Sequence, residues 1–218
     1  MPVLPYYYGN MEIVMYNVGV DLSLFILKGG LPMSIFDKLF GGNSAPQPAA
    51  KPANEKKVFT FSALPESLAQ LQALPEAALD DPYQTAALTV CALCAYGAEP
   101  SVGAEMLNWL RGPRPLTPSE LSFLKDRFRD GKHYVPFSYF NGAVPDNDYT
   151  PSQPYTLQIE SNPYSDANPG YKKLFIKSGG ADSAREIVLR MRGDGKWFLW
   201  DQFLMVGIRD PKSADPWA

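Results

Sequence analysis

The chain has 218 residues, 45% of them apolar, enough for one core of ordinary size in one sizeable domain or two small ones. A net charge of −3 and a pI of about 5.2 exclude a global basic field drawn to DNA or RNA, and no dense local basic patch replaces one. Two cysteines, Cys91 and Cys94, exclude a disulfide framework and fit a reducing, cytoplasmic setting.

Residues 11–28 are the most apolar part of the N-terminus, but Glu12, Asn17 and Asp21 interrupt them, so they make a poor membrane span. They also lack the basic front, unbroken apolar middle and cleavage site of a secretory signal. Lys28-Gly29-Gly30 translates a purine-rich string of the kind that precedes bacterial start codons, and Met33 follows at a short distance. The expectation is that translation starts at Met33 and that residues 1–32 are an over-long reading of the gene. Ile35, Phe36, Leu39 and Phe40 then share one helical face within residues 34–40, stopped by Gly41-Gly42. One or two turns do not hold a helix alone. The segment reads as a frayed end, with docking on a partner or a membrane surface as the alternative. Residues 43–57, rich in Pro, Ala and Asn, read as a flexible linker, and a single folded domain is expected over 58–217.

Within that domain residues 58–61 form a short strand, and four helices follow. The first spans Ser62 to Leu74, with Leu64, Leu68 and Leu71 at helical spacing. The second, over 82–97, opens with Asp81 as N-cap and Pro82 at its first position, and is apolar nearly all round, the mark of a central helix. The third carries Met106, Leu107, Trp109 and Leu110 and ends at Gly112-Pro113. The fourth begins with the capping box Thr117-Pro118-Ser119-Glu120 and ends at Gly131. The period then drops to two. Tyr155, Leu157 and Ile159 mark one strand, Leu174 and Ile176 a second, and Ile187, Leu189 and Met191 a third. Gly193-Asp194-Gly195 turns the chain into a fourth over 196–200, and 203–208 suggest a fifth. Helices first and strands after predict an α+β fold, about four helices packed on an antiparallel meander.

Several motifs carry chemistry only in the right context. Ser178-Gly179-Gly180-Ala181-Asp182-Ser183 resembles the phosphate-binding loop of the ATP pyrophosphatase superfamily, which lies between a strand and a helix in a doubly wound sheet. Here the following residues alternate like a strand, and too little chain remains for such a sheet. A Gly-rich connection is the plain reading. An anion held by the Gly179 and Gly180 amides with Arg185 stands between the two. The Cys91–Cys94 pair sits inside an apolar helix rather than at its N-terminus, so it reads as two core thiols, and no further ligands complete a metal site. His133, the one histidine, has no GxSxG elbow to serve, Asp146-Asn147-Asp148 lacks the rest of a calcium loop, and Arg192-Gly193-Asp194 reads as a hairpin turn. Aromatics crowd residues 134–171, among them Tyr139, Tyr149, Tyr164 and Tyr171; they either present a sugar or peptide surface or pin long loops to the sheet.

The stretches 136–157, 173–190, 196–203 and 215–217 resemble an uncharacterised bacterial family known only as a domain of unknown function, across nearly all of 58–217. The resemblance implies no activity, cofactor or metal, and it assigns the SGGADS string to that family's own architecture. The expected function is a non-enzymatic binding protein of the bacterial cytoplasm with a protein partner. Its ligand site is placed at Ser178, Gly179, Gly180, Asp182, Ser183 and Arg185, with Tyr139 and Tyr149 beside them. A nucleotide- or anion-binding protein or enzyme using 178–183, and a protein recruited to a membrane surface through 34–40, are the alternatives. The intact mass of protein expressed from the native gene checks the start site: a species beginning at Met33 is expected, and one beginning at Met1 removes that expectation.

Overall fold

A computed structural model describes residues 6–8, 11–13, 54–214 and 216. The Met33 start, the 34–40 segment and most of the 43–57 linker lie outside the described residues. In the N-terminal unit, β1 (Tyr6–Tyr8) and β2 (Met11–Ile13) pair antiparallel, Tyr6 opposite Ile13.

The second unit is an α+β mixture. Its sheet has five antiparallel strands in chain order: β3 (Lys56–Phe61), β4 (Tyr155–Glu160), β5 (Tyr171–Ile176), β6 (Arg185–Met191) and β7 (Trp197–Gln202). Between β3 and β4 run α1 (Leu68–Gln72), α2 (Pro82–Ala98), α3 (Pro100–Arg111), α4 (Pro118–Arg127) and the single turn α5 (Tyr134–Phe137). The fifth strand is therefore not 203–208. Leu204 and Met205, adjacent in sequence, are both buried, which breaks the two-residue alternation a strand face needs. The first helix is also shorter than its leucines suggested. Pro65 sits in the entering chain, Ser67 caps the helix by accepting from the Gln70 amide, and a 3-10 turn over Pro75–Ala78 follows.

Helix α2 is the axis. Asp81 accepts from the Tyr83 amide at 2.9 Å and Pro82 takes the first position, as the sequence indicated. From Thr85 to Tyr96 every residue is buried. The helix packs on β4, β5, β6 and β7 and on α3 and α5. Its two buried threonines are satisfied: Thr89 Oγ1 donates to Thr85 O at 2.8 Å, and Thr85 Oγ1 donates to Trp197 O at 2.8 Å. Helix α3 folds straight back against α2. At Gly103 a Cβ would lie 2.2 Å from Tyr96 Cα, so only glycine allows the approach.

The sheet is split. β4 and β5 share only two pairs, Ile159 with Ile176 and Glu160 with Phe175. The Ser138–Ala143 segment fills the gap: the Asn141 amide donates to Thr156 O at 2.7 Å, and the Gly179 amide donates to Ser138 O at 2.8 Å.

Beyond α3, Arg111 is 5% exposed and donates to Glu120 Oε1 at 2.6 Å, with Arg114 on the same oxygen at 3.0 Å. The other oxygen takes the Thr117 amide and hydroxyl, completing the capping box. Burial alone would raise the Glu120 carboxyl, but the Thr117 hydrogen bonds and the two guanidiniums outweigh it and hold it down at about 2, from an ordinary 4.5. A carboxyl depressed in the folded state stabilises fully above its unfolded value, and that stabilisation fades as pH falls toward its folded value. Glu120→Gln should therefore lower the urea midpoint near neutral pH. The gap from the native chain should narrow between pH 4.5 and 2; a gap constant with pH would contradict the assignment.

Candidate functional site

The residues singled out around the SGGADS string do come together, but as a clasp. Ser178 is buried and its hydroxyl bonds Ser138 Oγ at 2.7 Å while accepting from the Gly180 amide at 3.0 Å. The Gly179 amide is taken by Ser138 O, so neither glycine N–H is left to cradle an anion. The glycines are there for closeness. A Cβ on Gly179 would lie 2.0 Å from Ala143 O, and one on Gly180 would lie 2.0 Å from the Tyr149 hydroxyl. Arg185 donates from Nε to Val206 O at 2.9 Å, from Nη2 to Gly207 O at 2.6 Å and from Nη1 to Ser183. Tyr139 and Tyr149 are buried pins, donating to Leu204 O at 2.5 Å and Arg209 O at 2.7 Å. Burial pushes both phenols up. Asp182 meets Arg209 at 2.6 Å in the open. Strand β6 begins at Arg185, so a strand follows the motif where a phosphate loop has a helix.

The two cysteines are equally part of the packing. Cys91 and Cys94 are free and buried in α2, and burial pushes both thiols up, away from thiolate chemistry. His133 lies with its ring 6.3 Å from that of Phe128. No group of three or more His, Cys, Asp or Glu side chains among the described residues is placed to hold a metal ion.

The face of the sheet turned away from α2 carries a different constellation. Leu174, Ile187 and Leu189 point inward, so Tyr171, Val188 and Arg190 point outward. Tyr171 and Phe198 flank Arg190 in one cross-strand row. A register shift between Val188 and Leu189 leaves Trp200 unpaired, the extra residue of a bulge. Its ring meets Tyr171 edge-on, centroids 5.5 Å apart at 84°. Three guanidiniums lie over aromatic rings here: Arg190 is 4.7 Å from the Trp200 centroid and 5.2 Å from that of Tyr171, Arg114 is 4.4 Å from Trp200, and Arg192 is 4.6 Å from Phe198. Arg114 is delivered by the Glu120 knot and also donates to Trp200 O at 3.3 Å.

Two depressions meet at Trp200. One, of about 480 Å³, runs from Tyr164 and Tyr171 past Val188 to Phe203, with Lys173, Glu186 and Asp201 along it. The other, of about 350 Å³, lies among Arg114, Arg190, Arg192 and Phe198. Of the crowded aromatics, Tyr139 and Tyr149 thus pin loops, whereas Tyr164, 70% exposed, and Tyr171 line a surface. Arg190, Phe198 and Trp200 were not singled out in the sequence. The Gly193-Asp194-Gly195 turn would have paired Arg190 with Phe198; the bulge that places Trp200 has no such signal.

The family model for a domain of unknown function, DUF6935, matches residues 63–212, and the chain belongs to that family. No curated protein and no solved structure matches the chain. Gly179→Ala should destabilise the fold by about 1–3 kcal/mol, because its methyl meets backbone that cannot withdraw. Asp182→Ala, at a carboxylate 93% exposed, should stay within about 0.5 kcal/mol. Thermal melts compare them. A large loss for Asp182→Ala with none for Gly179→Ala would return the motif to ligand chemistry.

Proposed function

We propose that this member of the DUF6935 family is a non-enzymatic binding protein of the cytoplasm that takes a carboxylate-bearing protein partner on the open face of its sheet. The helical cluster ahead of β4 backs that face. The observation that carries the reading is Arg190. Most basic side chains among the described residues sit within ion-pair distance of a carboxylate; Arg190 shares with Lys125 and Arg185 the lack of one. Arg185 is taken up by backbone carbonyls. Arg190 instead is exposed, its guanidinium carbon lying 4.7 Å and 5.2 Å from the centroids of Trp200 and Tyr171, with no carboxylate among the described residues taking up its N–H groups. A guanidinium so held loses less freedom when a carboxylate docks, and its fork matches two oxygens. Trp, Tyr and Arg are also the residue types that dominate binding energy in protein interfaces.

The SGGADS loop supports a nucleotide less well, because the Gly179 and Gly180 amides and Arg185 already have partners within the fold. No helix among the described residues is long and apolar enough to cross a membrane. Recruitment to a membrane surface through residues 34–40 rests on the sequence alone.

The full chain titrated against a fluorescent random copolymer of glutamate and tyrosine tests the proposal by anisotropy. Saturable binding is expected, weakening with added salt. Arg190→Ala, at an exposed position, should reduce affinity roughly tenfold with an unchanged melting temperature. No binding, or equal binding by the variant, would overturn the reading, and salt-insensitive binding of an uncharged oligosaccharide would replace it with a sugar site.

A further inference from the structure

Away from the sheet face, a cavity of about 550 Å³ lies between the chain leaving β3, the last turn of α2, the first turn of α3 and the start of β4. It shares no residue with the depressions around Trp200. Its volume is that of small-molecule sites. Leu64, Ala98, Val102, Phe137 and Tyr155 make its walls largely apolar and partly aromatic.

The charged side chains lining the cavity have one sign. Glu66 and Glu99 line it, and no Lys, Arg or His does. Neither carboxylate has an ion-pair partner among the described residues. Glu99 accepts from the Ser101 amide and hydroxyl, at 3.3 and 2.7 Å, which fixes its position and holds its carboxyl below the usual range. Ala95 and Ala98 are in the last turn of the seventeen-residue α2, and Glu99 and Val102 open α3, so the negative end of one helix and the positive end of the next meet at this wall and offset one another. The buried Cys94 thiol on the wall is uncharged and adds polarizable apolar surface.

We propose that this cavity binds an amphipathic organic cation, an amine whose apolar or aromatic body fills the space between Leu64, Val102 and Phe137 while its charge lies toward Glu66 and Glu99. An anion is repelled by every charged group there. A neutral molecule gains the walls but leaves two carboxylates without a counter-charge. The site goes beyond the protein-binding face and does not depend on it.

Three probes of one shape separate the terms: 2-phenylethylamine, protonated at neutral pH, 2-phenylethanol and 3-phenylpropionate. Each is titrated into the full chain by calorimetry and by amide NMR. The amine should bind saturably, with shifts at Ala95, Ala98 and Val102. The alcohol should bind roughly two- to fivefold more weakly and the carboxylate not at all. Glu66→Gln, at an exposed position that caps no helix, should weaken the amine by a similar factor and leave the alcohol unchanged. Val102→Trp should fill the cavity and abolish both, while glutamate–tyrosine copolymer binding at the sheet face persists. Equal affinity for amine and alcohol, insensitivity of the amine to Glu66→Gln, shifts confined to other regions, or no saturable binding would each overturn the proposal.

Discussion

Everything in the folded unit leans on one helix that has no outside. From Thr85 to Tyr96, α2 offers water nothing, and each fully buried leucine or valine on it is worth roughly 1.5–3 kcal/mol over an exposed one. A helix surrounded on all sides needs a sheet on one flank and helices on the others, which is what β4–β7, α3 and α5 supply. It also needs its polar groups answered internally. Thr85 turns that need into an asset by holding the outer edge of β7 at Trp197 O, where the Trp197 amide also reaches Leu79 O. One end of the β7 edge is thus tied to the helix the sheet packs on.

Much of this was legible because it is local. Asp81-Pro82 and the Thr117–Glu120 box are cap chemistry confined to four or five residues. The alternation of β4 and β6 records a sheet with one buried face. What was not legible depended on distant partners. No property of Lys56–Phe61 announces a pairing with Tyr155–Glu160, so the fifth strand was sought at the other end of the chain. The SGGADS string was textually close to a phosphate loop, yet its glycines answer to Ala143 O and the Tyr149 hydroxyl, neighbours a linear reading does not supply.

The two candidate sites differ in the same way. Guanidiniums lying over Tyr171, Phe198 and Trp200 are a property of register, one row across the β6–β7 hairpin and one bulge. The cavity is a property of packing, since its acids and walls come from elements far apart in the chain. The Glu120 knot joins the first site to the core: the residue that caps α4 also neutralises buried Arg111 and carries Arg114 to Trp200. A helix start, a buried charge and one edge of a surface therefore share a single carboxylate.

The ladder of β3 has a consequence for how the chain is made. Phe59 faces Leu157, so the first strand of the five-stranded sheet to leave the ribosome waits for a partner almost a hundred residues behind it, with α1 to α5 synthesised in between. Contacts of that span are closed late and slowly. Until then Val58 and Phe59 sit on a strand with no neighbour, beside Lys56 and Lys57, whose charges discourage association with other nascent chains. The two lysines at the head of the sheet thus stand beside this apolar pair before its partner strand has been made.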